Sequence, residues 1–166
     1  MLARLVRRMR RNHALEHATI ALLSRRYPST STMGFSGSRG FTLFTDLTAE
    51  EVYPTVREAL QRLKRGHSAL AVHPNCGTNL VAAAVLTTGV TALGLRSRKE
   101  KIGERLEQFL QLVLVNAVAL VVARPVGRWL QSHLTVDANV KGVEIASILT
   151  RYQAGMQRIE VQTRHG

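Results

Sequence analysis

Apolar and basic residues follow a helical rhythm over residues 2–26, where apolar side chains recur at spacings of three to five with arginines between them. This pattern predicts an amphipathic helix. A Tyr-Pro pair and a Ser/Thr run at 27–32 predict its end. Residues 33–46, which contain three glycines, predict a hairpin or a bent strand, with 40–44 as the most strand-like part.

Shorter patterns predict four further elements. A threonine shortly before two glutamates predicts a helix start, and this helix is expected over 48–65, where a glycine ends it. The apolar run 68–72 predicts a short strand, and 136–151 predicts a helix. Residues 159–163 alternate apolar and polar side chains, which is typical of a strand.

Two long apolar segments lie in the middle of the chain. Residues 80–95 carry no charge, whereas 106–123 carry Glu107 at the edge and Asn116 inside. A helix needs about 20 apolar residues to span a bilayer, and so small a domain has little else with which to cover two uniformly apolar helices. We expect a membrane hairpin, antiparallel because the linker 96–105 is short. The alternative is a soluble helical hairpin buried in a core.

These elements together predict an α+β fold. We expect a mostly helical membrane protein with an antiparallel two-helix apolar hairpin and a small cytoplasmic α/β part. Residues 1–79 are expected to hold the first helix, a small strand-helix-strand part and a turn. Residues 80–123 form the hairpin, and 124–166 supply a C-terminal helix and strand that pack on the N-terminal part.

Basic residues dominate the charge, since 23 lysines and arginines against 11 acids give a formal charge of +12. Such charge attracts anionic surfaces. The apolar segments and the scarcity of aromatic residues favour a lipid bilayer over nucleic acid as the partner. The arginine-rich first helix favours an orientation in which the segments before and after the hairpin lie on the cytoplasmic face of the inner (cytoplasmic) membrane. A single cysteine excludes a disulfide framework, and no secretory signal is predicted.

An H-x-x-E-H motif lies within the first predicted helix, as His13, Glu16 and His17. Side chains four residues apart on a helix share a face, so both histidines can reach one metal ion. Glu16, one residue before the second histidine, is close enough to contact a metal-bound water. The spacing matches that of the inverzincin metallopeptidases. The alternative is a pair of solvated histidines on a basic helix.

A second motif, His73-Pro-Asn-Cys76-Gly-Thr-Asn79, opens the first apolar segment. Imidazole and thiolate are both good zinc ligands, and the proline and glycine predict a sharp turn between the elements. The alternative is a tight turn with a buried, inert thiol.

A third block consists of Trp129-Leu130-Gln131 with Leu134-Thr135, followed by Val143-Glu144-Ile145-Ala146. With the first two motifs in the same order, it resembles the YqhQ-like bacterial family of metal-dependent membrane enzymes, whose usual motifs are H-G-A-E-H and H-P-R-C-G-T. The likeness covers most of residues 12–148. It implies a metal site and a membrane location, and it implies no particular reaction.

The third metal ligand has three candidates, because a catalytic zinc typically takes three protein ligands and a water. Glu144 would fill the role by analogy with the distant glutamate of inverzincins. Cys76 or His73 could fill it instead. If both joined His13 and His17, the closed four-ligand shell would be structural and would leave no position for water.

The sequence therefore predicts a zinc-dependent, membrane-associated hydrolase, with a metallopeptidase favoured and other divalent metals allowed. Glu16 is the expected catalytic base, and a membrane-embedded peptide is the expected substrate. Asn79, Gln131 and Asn116 are candidates for substrate binding. The alternative is a non-catalytic membrane protein whose structural metal site supports binding to lipid or to a protein partner.

Overall fold

The computed structural model describes residues 1–96, 101–153 and 155–166, and these fall into two compact units. The first unit comprises 1–73 and 132–166, and the second comprises 74–131. The predicted linker 96–105, with its basic residues Arg98 and Lys99, lies partly outside the described residues. The predicted three-part division of the chain stays a prediction.

The first unit begins with the predicted amphipathic helix, here α1, Leu2–Arg26. Its second half is buried, whereas its arginine-rich first turns are exposed. The predicted hairpin is confirmed as β1, Thr32–Gly37, and β2, Gly40–Thr45. The next predicted helix is confirmed as α2, Ala49–Lys64, which begins with a capping box formed by Thr48 and Glu51.

The C-terminal segment completes a four-stranded antiparallel sheet with the hairpin. Strand β3, Val143–Gln153, pairs with β4, Met156–His165, and the strand order is β1-β2-β4-β3. The predicted terminal strand is therefore confirmed, and it is longer than 159–163. The C-terminal and N-terminal segments share one sheet.

The helix predicted over 136–151 is wrong, because most of this segment is strand β3. A β-bulge between Ile145 and Ser147 shifts the register against β4. The bulge breaks the strict alternation that identifies a strand in a sequence. Apolar residues that face the core stand at 143, 145 and 148, so their spacing changes from two to three across the bulge and shows no uniform period of two.

The strand predicted over 68–72 is also wrong, since this segment is a 3₁₀ helix, Ser68–Ala71. Gly66, whose φ of 93° suits glycine, lies in the turn between α2 and this 3₁₀ helix. Leu70 and Ala71 are buried in the core of the first unit. This core lies where α1 and α2 cover the sheet, and its large, fully buried apolar side chains include Leu15, Leu23, Leu43, Val52, Val56 and Ile159.

The second unit is a pair of apolar helices, α3, Gly77–Gly94, and α4, Ile102–Leu130. The pair is antiparallel: the Asn116 amide donates to the Thr91 hydroxyl at 3.0 Å, and the Gln108 amide donates to the Gly94 carbonyl at 2.8 Å. After α4 a π-helical turn, Gln131–Thr135, leads back to the first unit.

Both helices are long and apolar enough to cross a membrane by length and composition. The candidate spans are Gly77–Gly94 and Ile102–Thr135, and only 6% and 11% of their most apolar windows are buried. Most of their large apolar side chains are therefore exposed, which is not expected of core helices in a soluble protein. The α+β class and the apolar hairpin agree with prediction, and two such helices are consistent with a membrane location.

Gly40 yields a stability prediction, because its φ is 150° and a Cβ there would overlap the Val161 carbonyl on β4. We expect Gly40→Ala to destabilise the first unit by about 2 kcal/mol or more, since backbone would have to move. Gly37→Ala is the matched control, as its Cβ would meet only an ordinary contact at 3.9 Å. Thermal unfolding followed by circular dichroism in detergent measures both, and equal midpoints would contradict this account.

Candidate metal centre

His13 and His17 lie side by side on α1, with ring centroids 4.2 Å apart. His17 is buried, with 2% of its surface exposed, and His13 is half-buried. The prediction that both histidines occupy one helix face is confirmed. The alternative of two solvated histidines is wrong, because the core of the first unit covers this part of α1.

Both imidazoles are oriented by backbone carbonyls. His13 Nδ1 donates to the Thr135 carbonyl at 3.0 Å, and His17 Nδ1 donates to the Ala71 carbonyl at 2.7 Å. A carbonyl oxygen only accepts, so each Nδ1 carries the hydrogen and each neutral ring keeps its lone pair on Nε2. Histidines that bind metal are commonly held in this way, with one nitrogen on a carbonyl and the other on the ion.

Arg10 fixes the segment that supplies the carbonyl for His13. Its guanidinium donates to the carbonyls of His133 and Val136, at 2.9 and 3.1 Å. These two bonds flank Thr135 on both sides along the chain. The 3₁₀ helix plays the same part for His17, because it ends at Ala71. Sequence reasoning missed both carbonyls, since any residue type can present a backbone oxygen.

Glu16 is buried on the same helix, with 4% of its surface exposed. The Ser36 hydroxyl of β1 donates to its carboxylate. Gly34 makes room for it, because a Cβ at this position would overlap the carboxylate group. Strand β1 therefore orients Glu16 in two ways: Ser36 supplies a hydrogen bond, and Gly34 leaves space for the carboxylate. Gly34 is visible in the sequence, but nothing in the sequence connects it to Glu16.

His73 stands near the histidine pair, with its ring centroid 5.9 Å from that of His17. Cys76 belongs to the second unit, where it caps α3 and its Sγ accepts from the Thr78 amide at 3.4 Å. Only Pro74 and Asn75 separate the two predicted ligands, and three residues of chain span at most about 11 Å. His13 and His17 each offer one donor atom to a metal ion from the first unit, and Cys76 offers its thiol from the second.

Glu144 is an exposed residue of β3, where it pairs in register with Arg164 of β4. It lies on a strand and not on the predicted helix. Among the described residues, it is not one of the side chains that group closely enough to be metal-ligand candidates. Its role as a metal ligand stays a prediction.

The three residues predicted to bind substrate lie in the second unit. Gln131 is fully buried and donates to the Asn79 side-chain oxygen at 2.8 Å, and Gly127 leaves space for Asn79. Asn116 lies between α3 and α4, bonded to Thr91 and to the Leu112 carbonyl. The Gln131–Asn79 bond joins the end of α4 to the start of α3, and the Asn116–Thr91 bond joins the same two helices further along. Their contact with a substrate stays a prediction.

Comparison with known proteins places the chain in a family. A domain of unknown function, DUF6391, matches residues 8–148. The chain belongs to this family. An uncharacterised protein of Picosynechococcus sp. is 33% identical over 136 residues, and the match covers 76% of this chain and 65% of that protein. No solved structure matches.

The family match covers all three sequence blocks that carried the resemblance to YqhQ-like proteins. It confirms a relation to an uncharacterised bacterial protein and to a family of unknown function. The closer relation to YqhQ-like enzymes stays a prediction.

Asn12, which precedes the first histidine, anchors α1 to the sheet. It is fully buried, and its amide donates to the Gly37 carbonyl at 2.7 Å. Its side-chain oxygen accepts from the Thr163 hydroxyl at 2.7 Å and from His165 Nε2 at 3.1 Å. Burial lowers the pKa of His165, and the positive charges of Arg8 and Arg11 lower it further.

His165 therefore makes the fold acid-sensitive. Because its pKa is lower in the folded state than the ordinary value of 6.5, the unfolded chain binds the extra proton between the two values. The resulting stability is present above pH 6.5 and is lost as the pH falls through the folded-state pKa. We expect His165→Gln, which keeps a donor for Asn12, to reduce the loss of stability between pH 7.5 and pH 5 in thermal unfolding. The control is the exposed His67→Gln; an unchanged pH dependence in His165→Gln would contradict the assignment.

Proposed function

We propose that this protein is a zinc-dependent hydrolase associated with a membrane, with a peptidase as the favoured type. One observation carries the proposal: His13 and His17 are oriented through Nδ1 by backbone carbonyls, next to the buried carboxylate of Glu16. Orienting two imidazoles in this way serves metal binding. The H-x-x-E-H spacing and the resemblance to metal-dependent membrane enzymes support the same function.

His13, His17 and Cys76 would hold the metal. Two imidazoles and one thiolate suit zinc, and three protein ligands are typical of a catalytic site, because the fourth position stays open. A bound zinc ion would polarise a carbonyl oxygen and make water acidic enough to ionise near neutral pH. If His73 also bound, the shell would close and the site would be structural.

Glu16 would act as the general base. Its carboxylate would take a proton from the attacking water and return it to the leaving amine, which is the usual role of a glutamate beside such a site. The Ser36 hydroxyl bonds one oxygen of this carboxylate and so fixes the orientation of the group. The space at Gly34 lets the carboxylate approach β1 without displacing the strand.

The membrane helices suggest the kind of substrate. Two helices long enough to cross a bilayer begin and end beside the sequence motifs that would form the site. A peptide that lies in or at the membrane would reach such a site without leaving the bilayer. The arginine-rich start of α1 favours the cytoplasmic face of the inner membrane. Asn79 and Gln131 supply amide groups that could hold the peptide backbone.

A structural metal site is the second candidate. The observation that favours it is the burial of Glu16 against the Ser36 hydroxyl, a contact that also stabilises the packing of α1 on β1. In this case the metal would join α1 to the turn that contains Cys76, and the basic surface of the protein would bind lipid or a protein partner.

Metal content tests the ligand set directly. We expect purified protein in detergent to carry close to one zinc ion per chain by elemental analysis. His17→Ala and Cys76→Ser should lower zinc affinity by at least about tenfold, since each removes one donor from the shell. Glu144→Gln and the exposed His67→Ala are matched controls that should retain zinc. The opposite result for Cys76 and Glu144 would assign the third ligand to Glu144, and wild type without zinc would refute both candidates.

Glu16→Gln separates the enzyme from the structural site. In a hydrolase the variant keeps its zinc and its fold but loses cleavage by at least about 100-fold, because general base catalysis contributes about that factor. Cleavage can be followed by mass spectrometry on a library of membrane-segment peptides. Ser36→Ala is the companion variant, and it should reduce cleavage less than Glu16→Gln. Undiminished cleavage in Glu16→Gln would rule out its role as the base.

A further inference from the structure

A basic cavity of about 280 Å³ lies in the first unit, apart from the histidine pair. Four elements line it: the first half of α1, the turn between β1 and β2, the end of β4, and Ala146 of β3. Its lining includes three arginines and three further polar side chains, namely Arg8, Arg39 and Arg164 with Ser38, Thr163 and His165.

In the parts of the chain that the structure describes, no ion pair neutralises the arginines of this cavity. Among the described residues, the ion pairs of α1 engage Arg11 with Asp137 and Arg26 with Glu58. Arg8, Arg39 and Arg164 take part in no salt bridge within those parts of the chain. Glu144 pairs in register with Arg164 without reaching ion-pair distance, so the cavity keeps a positive charge. Arginine side chains that line one cavity are typical of phosphate sites.

The frame of the cavity is held rigidly. The Thr163 backbone amide donates to the Arg39 carbonyl at 2.9 Å, which ties the turn to β4. The Thr163 hydroxyl donates to the buried Asn12, which in turn bonds the Gly37 carbonyl of β1. Helix, turn and strand are thus joined before any ligand binds. Such preorganisation reduces the entropy lost on binding.

His165 adds a second feature that points to a ligand. Its Nε2 donates to the Asn12 oxygen, so the neutral ring has a lone pair on Nδ1. This Nδ1 is buried and has no hydrogen-bond partner in the described parts of the chain. A buried acceptor without a partner is costly and calls for an explanation. A ligand that brings an acidic O–H group would satisfy it.

We propose that this cavity binds a phosphomonoester group. The three arginines supply charge and hydrogen-bond donors for the phosphate oxygens, and His165 Nδ1 accepts the remaining P–OH hydrogen. A phosphodiester has no such hydrogen, and sulfate carries none near neutral pH. The site therefore selects a phosphomonoester by proton count as well as by charge. The proposal is independent of the metal site and of any hydrolase activity.

Two sources carry this chemistry, a soluble phosphomonoester and the headgroup of phosphatidic acid in a bilayer. The same cavity would recognise the phosphate of either. A lipid headgroup would add the attraction between the basic start of α1 and the membrane surface. The experiment has one arm for each source.

Isothermal titration calorimetry of the full chain in detergent, with inorganic phosphate as the probe, tests the site. The pocket variant is Arg39→Gln with Arg164→Gln, and the matched control is Arg4→Gln with Arg7→Gln, which removes equal charge from exposed positions of α1 outside the cavity. We expect phosphate affinity to fall by at least about tenfold in the pocket variant and by less than about twofold in the control. Equal losses in both would overturn the proposal, because general attraction would then explain binding.

His165→Gln tests the selection for a protonated phosphate. Wild type should bind phosphate at least about tenfold more tightly than sulfate at equal ionic strength, and the variant should lose this preference while its unfolding temperature stays near that of wild type. Wild type that binds both anions equally would overturn the role of Nδ1.

Native mass spectrometry with phosphatidic acid or phosphatidylglycerol in the detergent supplies the lipid arm. Retention of phosphatidic acid that the pocket variant loses assigns the headgroup as ligand. If the pocket variant loses affinity for phosphate while its retention of phosphatidic acid is unchanged, the ligand is a soluble phosphomonoester. Retention of phosphatidylglycerol equal to that of phosphatidic acid, in wild type, would contradict a site for phosphomonoesters.

Discussion

The first unit depends on the need to pair the polar side chains that α1 carries into the core. Asn12, Glu16, His17 and Thr19 are all buried, and a buried polar group without a hydrogen bond costs roughly 1–3 kcal/mol. Each has a partner: Asn12 bonds Gly37, Glu16 bonds Ser36, His17 bonds Ala71, and Thr19 bonds the Leu15 carbonyl one turn earlier. Strand β1, the 3₁₀ helix and strand β4 are positioned where these groups need them.

The polar face of α1 also accounts for the position of the candidate chemistry. Leucine and alanine side chains would have packed this face of α1 against the core equally well. They would also have avoided the free-energy cost of burying polar groups. The histidines, the glutamate and the asparagine are kept inside the fold together with carbonyls that orient them. A fold that accepts such a cost commonly does so where function requires it, and this is the physical argument for a site on α1.

The two units differ in composition and in the features that they carry. The second unit buries few of its apolar residues and joins its helices through the amides of Asn116 and Gln108. A bilayer would cover its exposed surface as a core covers that of a soluble helix. The first unit contains the arginine-rich start of α1, the histidine pair and the basic cavity. Both proposed sites include residues of α1. Asn12 bonds two residues that line the basic cavity, and His13 belongs to the candidate metal site.

The sequence alone determined the elements whose patterns are local. The period of α1, the capping box of α2, the glycine-bounded hairpin and the two apolar helices could all be read directly, and so could the shared face of His13 and His17. It failed at β3, because a bulge disguises the alternation of a strand, and at the 3₁₀ helix, which is too short to show a period.

Only the tertiary structure decided what surrounds the motif. The Thr135 and Ala71 carbonyls orient the histidines from 122 and 54 residues away, and Ser36 holds Glu16 from 20 residues away. The basic cavity likewise joins Arg8 to Arg164 across nearly the whole chain. Backbone carbonyls and long-range neighbours leave no mark in a residue pattern, because their positions follow from the packing of the whole unit.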